Sequence, residues 1–260
     1  MNDTFLIALS STLPLAHPVL FATISGAHLY GFPSPDSDID VRGSFVLPVD
    51  ALLGLQSLQE TITRTYEHEG REIDLVAHDL RKFVMLMLKR NGYVLEQVYS
   101  PLIVYGGAAF EELRTLARGC IVRHLVHHYR GFAHNQIALM QKSRSLLDKT
   151  NGEAGPRLKD LLYVYRVLLT GIHVLQTGEI EANLRHLNAH FHLPDIDELI
   201  ARKITEGAPL TEGEAEAHRP RIDELLARLD SAFEKSALPE KPANFAALNE
   251  FVIRMRKEIS

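Results

Sequence analysis

Acids set into apolar, β-type runs are the feature that most restricts how this chain can fold. Residues 25–43 read SGAHLYGFPSPDSDIDVRG, in which Asp38 and Asp40 flank Ile39 and Val41 follows. Residues two apart on a strand share a face. A strand over 38–48 therefore turns Asp38 and Asp40 to one side, roughly 6.5 to 7 Å apart, and Ile39 and Val41 to the other. Two carboxylates on one face repel each other unless solvent screens them or a cation lies between them. Asp36 offers a rival pair with Asp38, but Pro33, Pro35 and Ser37 put it in the preceding turn. REIDLVAH repeats the theme, with Asp74 between Ile73 and Leu75. One such acid is ordinarily a solvated or hydrogen-bonded position, and an acidic pair on an edge strand is common. Three, on two strands able to neighbour each other, make a candidate site for a hard divalent cation, Mg²⁺ or Mn²⁺, which prefers oxygen ligands.

The surroundings of these acids describe an α/β head. TFLIALSSTLP reads as a short helix and VLFATIS as a buried strand, followed at once by the glycine turn of SGAHLYG. A strand-to-helix turn of this kind exposes backbone N–H groups to which phosphate can bind. Residues 61–79 read as a hairpin about Glu69-Gly70, and Asp79 caps an amphipathic helix, LRKFVMLMLKR, that stops at Asn91-Gly92. LIVYG is a further short strand. Beyond about residue 107 no strand pattern is found. One long helix is expected from Cys120, bent at Gly131, then a loop at 150–156 and a helix over 157–178 ending at Gly178. Two or three more helices follow, with a loop at ALPEKPAN. The expected fold class is α+β, with a small mixed-sheet head over 1–115 followed by an all-α bundle over 116–260.

Composition narrows the partners. Hydrophobic residues make up 46% and charged residues 23%, as in globular chains, and the net charge of −5 excludes bulk attraction to nucleic acid while leaving a local basic groove open. The single cysteine, Cys120, excludes an internal disulfide and points to a reducing, cytoplasmic location. The apolar start carries Asn2 and Asp3 in place of basic residues, so no signal peptide is expected, and no run is long enough to span a membrane.

With these features in order, the chain resembles the DNA polymerase β-like nucleotidyltransferase superfamily. ISGAHLYG, DSDIDVRG and REIDLV match the apolar strand with its glycine turn, the apolar-flanked Asp-x-Asp and the third acid. The resemblance is closer still to the RNA-ligase-associated (RlaP-like) branch, through IDLVAHDLRKF, HYRGFAHNQ and YRVLLTGIHVLQTGE as well, over about 20 to 185. It implies a metal-dependent transfer of a nucleoside monophosphate from a nucleoside triphosphate, with ATP as the expected donor, to an acceptor hydroxyl or phosphate, RNA among the acceptors. Asp38, Asp40 and Asp74 would then be catalytic acids and ligands of Mg²⁺ or Mn²⁺, with Asp74 also taking the acceptor proton.

The same resemblance assigns the triphosphate to Ser25, Gly26, Ala27, His28, Arg42, Lys159 and Arg166. Ala27 departs from the pattern, because Ser or Gly usually follows the first turn glycine. Arg42 has a second role open to it, as ion-pair partner of one aspartate. Arg123, His127, His128, Arg130, His134 and Lys142 cluster on one expected helix, a solvated face in the ordinary case. His124, His127 and His128 have a zinc-compatible spacing but no fourth ligand. The alternative to an enzyme is a degenerate head whose helical half binds RNA or a protein. Asp74 argues against that and Ala27 for it. Acceptor, base selectivity and oligomeric state leave no local signature.

Overall fold

The structure, a computed structural model, describes residues 2–55, 57–147, 157–205 and 210–259, with the side chains of 142–147 and 212 outside that description. The loop expected at 150–156 and the side chain of Lys142 therefore lie outside the described residues. The chain forms two units. The first comprises Met1–Leu29, Ser37–Ile121 and Lys241–Ser260, and the second Tyr30–Asp36 with Val122–Glu240.

In the first unit, β1 (Val19–Ile24), β2 (Ile39–Phe45), β3 (Thr61–His68), β4 (Arg71–Asp79) and β5 (Ile103–Tyr105) form a mixed sheet ordered β3-β4-β2-β1-β5. Only β2 and β4 run parallel, and the other pairs are antiparallel. The alternation seen in the sequence decides which side is buried. Ile39 and Val41 of β2 and Ile73, Leu75 and Ala77 of β4 enter one core with Leu6 and Leu9 of α1 (Asp3–Ser10). Their neighbours Asp40, Arg42 and Asp74 face the other way and are only partly buried. The β3–β4 hairpin turns through Glu69 at φ 50° and Gly70 at φ 73°, the left-handed pair a two-residue turn requires.

Helices complete this unit. The short α2 (Gly26–Tyr30) follows β1 and α3 (Val49–Leu53) follows β2. Asp79 ends β4 and caps α4 (Leu80–Leu88) by accepting the Arg81 N–H at 3.1 Å. Asn91 caps α5 (Gly92–Tyr99), and α6 (Ala108–Ala117) follows β5. Thr23, opposite Arg42 in the β1–β2 register, donates to the Gln97 carbonyl of α5 at 2.9 Å. So α5 lies against the sheet face that carries Arg42.

The second unit is helical. Its members are α7 (Val126–Leu147), α8 (Leu158–Thr177), α9 (Leu184–Phe191), α10 (Ile196–Thr205), α11 (Glu212–Ala217) and α12 (Arg219–Lys235). The long helix begins at Val126 rather than Cys120, because Ile121 and Val122 are extended between two 3₁₀ turns. Gly178 ends α8 in the left-handed conformation, as its place in the sequence predicts. Among the described residues five helices follow Gly178 where two or three were expected. The last of them, α13 (Phe245–Glu258), belongs to the first unit. Its Arg256 reaches the buried Asp79 at 2.6 Å, and its Arg254 clasps Glu112 of α6 at 2.5 and 2.6 Å. No helix among the described residues is long and apolar enough to cross a membrane.

Candidate active site

The parallel β2–β4 pairing sets Asp40 directly beside Asp74. Parity then turns both carboxylates to the same face. Asp38 does not share that strand, since β2 begins at Ile39 and leaves Asp38 exposed one residue before it. The two acids that the sheet sets in register therefore lie on neighbouring strands. Among the described residues no three His, Cys, Asp or Glu side chains gather as a ready metal cage.

Arg42 lies between the two acids. Its Nη2 donates to Asp40 Oδ1 at 2.6 Å and to Asp74 Oδ2 at 3.1 Å. Nη1 donates to the carbonyls of Val41 at 2.9 Å and Asp74 at 2.6 Å, and Nε donates to the Tyr93 hydroxyl at 2.9 Å. The Arg42 side chain is 11% exposed, against 29% and 34% for Asp40 and Asp74. Burial works against its charge, but Tyr93, Asp40 and Asp74 outweigh burial and raise its proton affinity. The Arg42 charge reaches along β4 to His78, whose pKa is lowered by burial first, then by Lys82 and Arg42.

Gly26 closes the other side of Asp40. It has φ +60°, and a Cβ there would fall 1.8 Å from Asp40 Oδ2. Only glycine allows the backbone this close to the carboxylate. The Ser25 N–H donates to the Asp40 carbonyl at 2.8 Å, extending the β1–β2 ladder to the turn. Ser25 and Ala27 are buried, the Ser25 side chain completely, and His28 is half-buried.

Lys159 and Arg166, expected to hold phosphate, belong to the helical unit. Lys159 is exposed, with Nζ 5.8 Å from the Tyr163 ring centroid. Arg166 is 2% exposed, its guanidinium 3.9 Å from the Tyr30 ring centroid. Beside it, His128 is pushed down to about 4, by burial first and then by the Arg166 charge. The three spaced histidines do not converge. His124 stacks on His127 and pairs with Glu240, whereas His128 packs on Tyr129 and Phe132.

Sequence reasoning missed Tyr93. Its only local signal is an aromatic residue two positions after the helix cap Asn91, and its value comes from where α5 lies on the sheet. The residues present suit a divalent cation. Asp40 and Asp74 offer hard oxygen donors, and both already converge on one cationic atom, Arg42 Nη2.

A mixed sheet with a glycine turn after its first strand, and with paired acids on its second and fourth, defines a polymerase β-like nucleotidyltransferase. More particularly, the chain belongs to the RlaP family, the RNA repair pathway DNA polymerase beta family, whose profile matches residues 7–254. The uncharacterized protein MJ0002 of Methanocaldococcus jannaschii is 28% identical over 237 residues, 88% of this chain and 90% of that protein. YcgL of Bacillus subtilis, also uncharacterized, is 28% identical over 164 residues, 62% of this chain and 58% of its own length. A crystal structure of a nucleotidyltransferase-like protein from Exiguobacterium sibiricum aligns at TM-score 0.31 with 14% identity, over 96% of this chain and 76% of that one.

Proposed function

We propose that this nucleotidyltransferase moves a nucleoside monophosphate from a nucleoside triphosphate, ATP first among them, to a hydroxyl or phosphate of RNA, in a divalent-metal-dependent reaction. The observation that carries this is the pair Asp40 and Asp74, in register on parallel strands and drawn to one cationic centre. Asp40 and Asp74 would hold Mg²⁺ or Mn²⁺, with Asp38 as a further carboxylate from the adjoining turn. Mg²⁺ is commonly bound by one or two carboxylates plus substrate phosphates, so a protein pair suffices. When bound, the ion neutralises charge on the triphosphate and makes the acceptor hydroxyl more acidic.

The remaining roles fall to the chain itself. Asp74 takes the acceptor proton. Gly26 keeps the backbone clear beside Asp40, and the turn Ser25, Gly26, Ala27 and His28 faces the triphosphate. Arg42 supplies positive charge beside the reacting phosphate. The helical unit recognises substrate, with exposed Lys159 on phosphate and Arg166 holding Tyr30 in place. Incubation with α-labelled triphosphates, Mg²⁺ or Mn²⁺ and total RNA tests this reading. Label should enter RNA with wild type and not with Asp40→Asn. Label in protein alone, or in no pool with any triphosphate, overturns it.

A further inference from the structure

A guanidinium has five N–H bonds, and in Arg42 all five are spent on the protein. Nε–H goes to Tyr93, the two on Nη1 to main-chain carbonyls of β2 and β4, and the two on Nη2 to Asp40 and Asp74. The side chain is nearly enclosed, at 11% exposure. A surface ion pair does not look like this. A long side chain held only by a partner's charge gains little and remains solvated. Here the backbone of two strands and a tyrosine fix the cation's position, whether or not the acids are charged. The consequence falls on Asp40. One of its oxygens is bound by Nη2, and the other is wedged where a Gly26 Cβ would lie.

We propose that Arg42 is a built-in counter-cation holding the divalent-ion position between Asp40 and Asp74, so that the free enzyme takes up metal poorly and loads it together with the triphosphate. The inference rests on the assignment of Asp40 and Asp74 as metal ligands and adds an order of events to it. A divalent ion bridging Asp40 Oδ1 and Asp74 Oδ2 would take the position that Nη2 now holds, so it enters there only by displacing Nη2. Metal alone gains two carboxylates and must displace a cation that the protein holds in place. Metal arriving with triphosphate brings further oxygen ligands and a negative charge for the displaced guanidinium to meet. Tyr93 and the Val41 carbonyl remain as anchors, so Arg42 is not released from the site.

Mn²⁺ binding, followed by the electron paramagnetic resonance of the free ion, reads this without any turnover. It is measured on wild type, Arg42→Gln, Tyr93→Phe and Asp40→Asn, with and without a non-hydrolysable triphosphate. Without nucleotide, Arg42→Gln should bind Mn²⁺ at least tenfold more tightly than wild type. Tyr93→Phe, which loosens one anchor and keeps the charge, should gain two- to fivefold and carries the test if Arg42→Gln fails to fold. The analogue should tighten wild-type binding at least tenfold and change Arg42→Gln far less. Equal affinity of wild type, Arg42→Gln and Tyr93→Phe without nucleotide, lost in Asp40→Asn, overturns the counter-cation while leaving the metal site intact. Binding that survives Asp40→Asn, or that is missing from every folded variant even with the analogue, overturns the metal site and the inference with it.

Discussion

Strand β4 carries two aspartates, each bonded to an arginine, and they differ in everything else. Asp74 is 34% exposed and shares Arg42 with a second acid. Asp79, at the end of the same strand, is 1% exposed, and its partner Arg256 is 6% exposed. Asp79 also accepts N–H bonds from Leu47 and Arg81, so its charge is fully used in joining β4, the segment after β2, α4 and α13. The first pair leaves solvent access and places two carboxylates on one cation. The second leaves no access at all. An arginine–aspartate contact therefore says little by itself. What separates the proposed metal-binding acids from the structural tie at Asp79 is that they keep a face toward solvent and adjoin each other.

Four substitutions sharpen this contrast, in falling order of effect. Asp40→Asn should lower nucleotidyl transfer by roughly a thousandfold, about 4 kcal/mol of barrier, with the melting temperature little changed. Loss of folding instead would place Asp40 with Asp79 as a structural acid. Arg256→Ala should do the reverse. Removing one partner of a buried pair costs about 3–5 kcal/mol, so urea unfolding should shift strongly while the activity of the remaining folded enzyme persists. A small shift would mean that Asp79 is satisfied by its N–H donors alone.

Gly26→Ala comes third. Its Cβ meets Asp40 Oδ2 at 1.8 Å, at a φ of +60°. The positive φ should cost about 1 kcal/mol, and the displaced carboxylate should lower transfer roughly a hundredfold. Full activity in this variant would detach Gly26 from the site. The smallest effect concerns His78. Its folded pKa is depressed by burial, Lys82 and Arg42, so the unfolded chain binds the proton more readily. This group therefore takes stability away as pH falls through about 6.5, the unfolded value. In Arg42→Gln the His78 pKa, followed by NMR, should rise toward that value and the acid loss should become shallower. An unmoved His78 would show that the Arg42 charge does not reach along β4.

Much of the first unit is legible because local chemistry and tertiary position agree. The alternation in REIDLVAHD gives β4 its faces, Glu69-Gly70 gives the hairpin its turn, and Asp79 marks the start of α4. That Asp40 and Asp74 turn away from the core follows from the same period of two. The direct pairing of Asp40 with Asp74 does not, because register across a parallel pair depends on the crossover between β2 and β4. Asp38 shows how much one residue matters, since the strand starts at Ile39 and leaves Asp38 exposed just before it. Arg256 was illegible for a different reason. On a helix of mixed charge it reads as a solvated cation, and only the return of α13 to the first unit buries it against a residue 177 positions earlier. Arg42 carried a partial signal, an ion-pair partner for one aspartate, and in the fold it binds two.

The proposed reaction requires a divalent ion to meet Asp40 and Asp74 in the presence of nucleotide. Paramagnetic broadening of backbone amide signals by trace Mn²⁺, with a non-hydrolysable triphosphate bound, tests it most directly. The signals of Gly26, Asp40 and Asp74 should vanish first, and Asp40→Asn should restore them. Broadening centred elsewhere, such as around His124 and His127, with Asp40 and Asp74 left sharp, would contradict it.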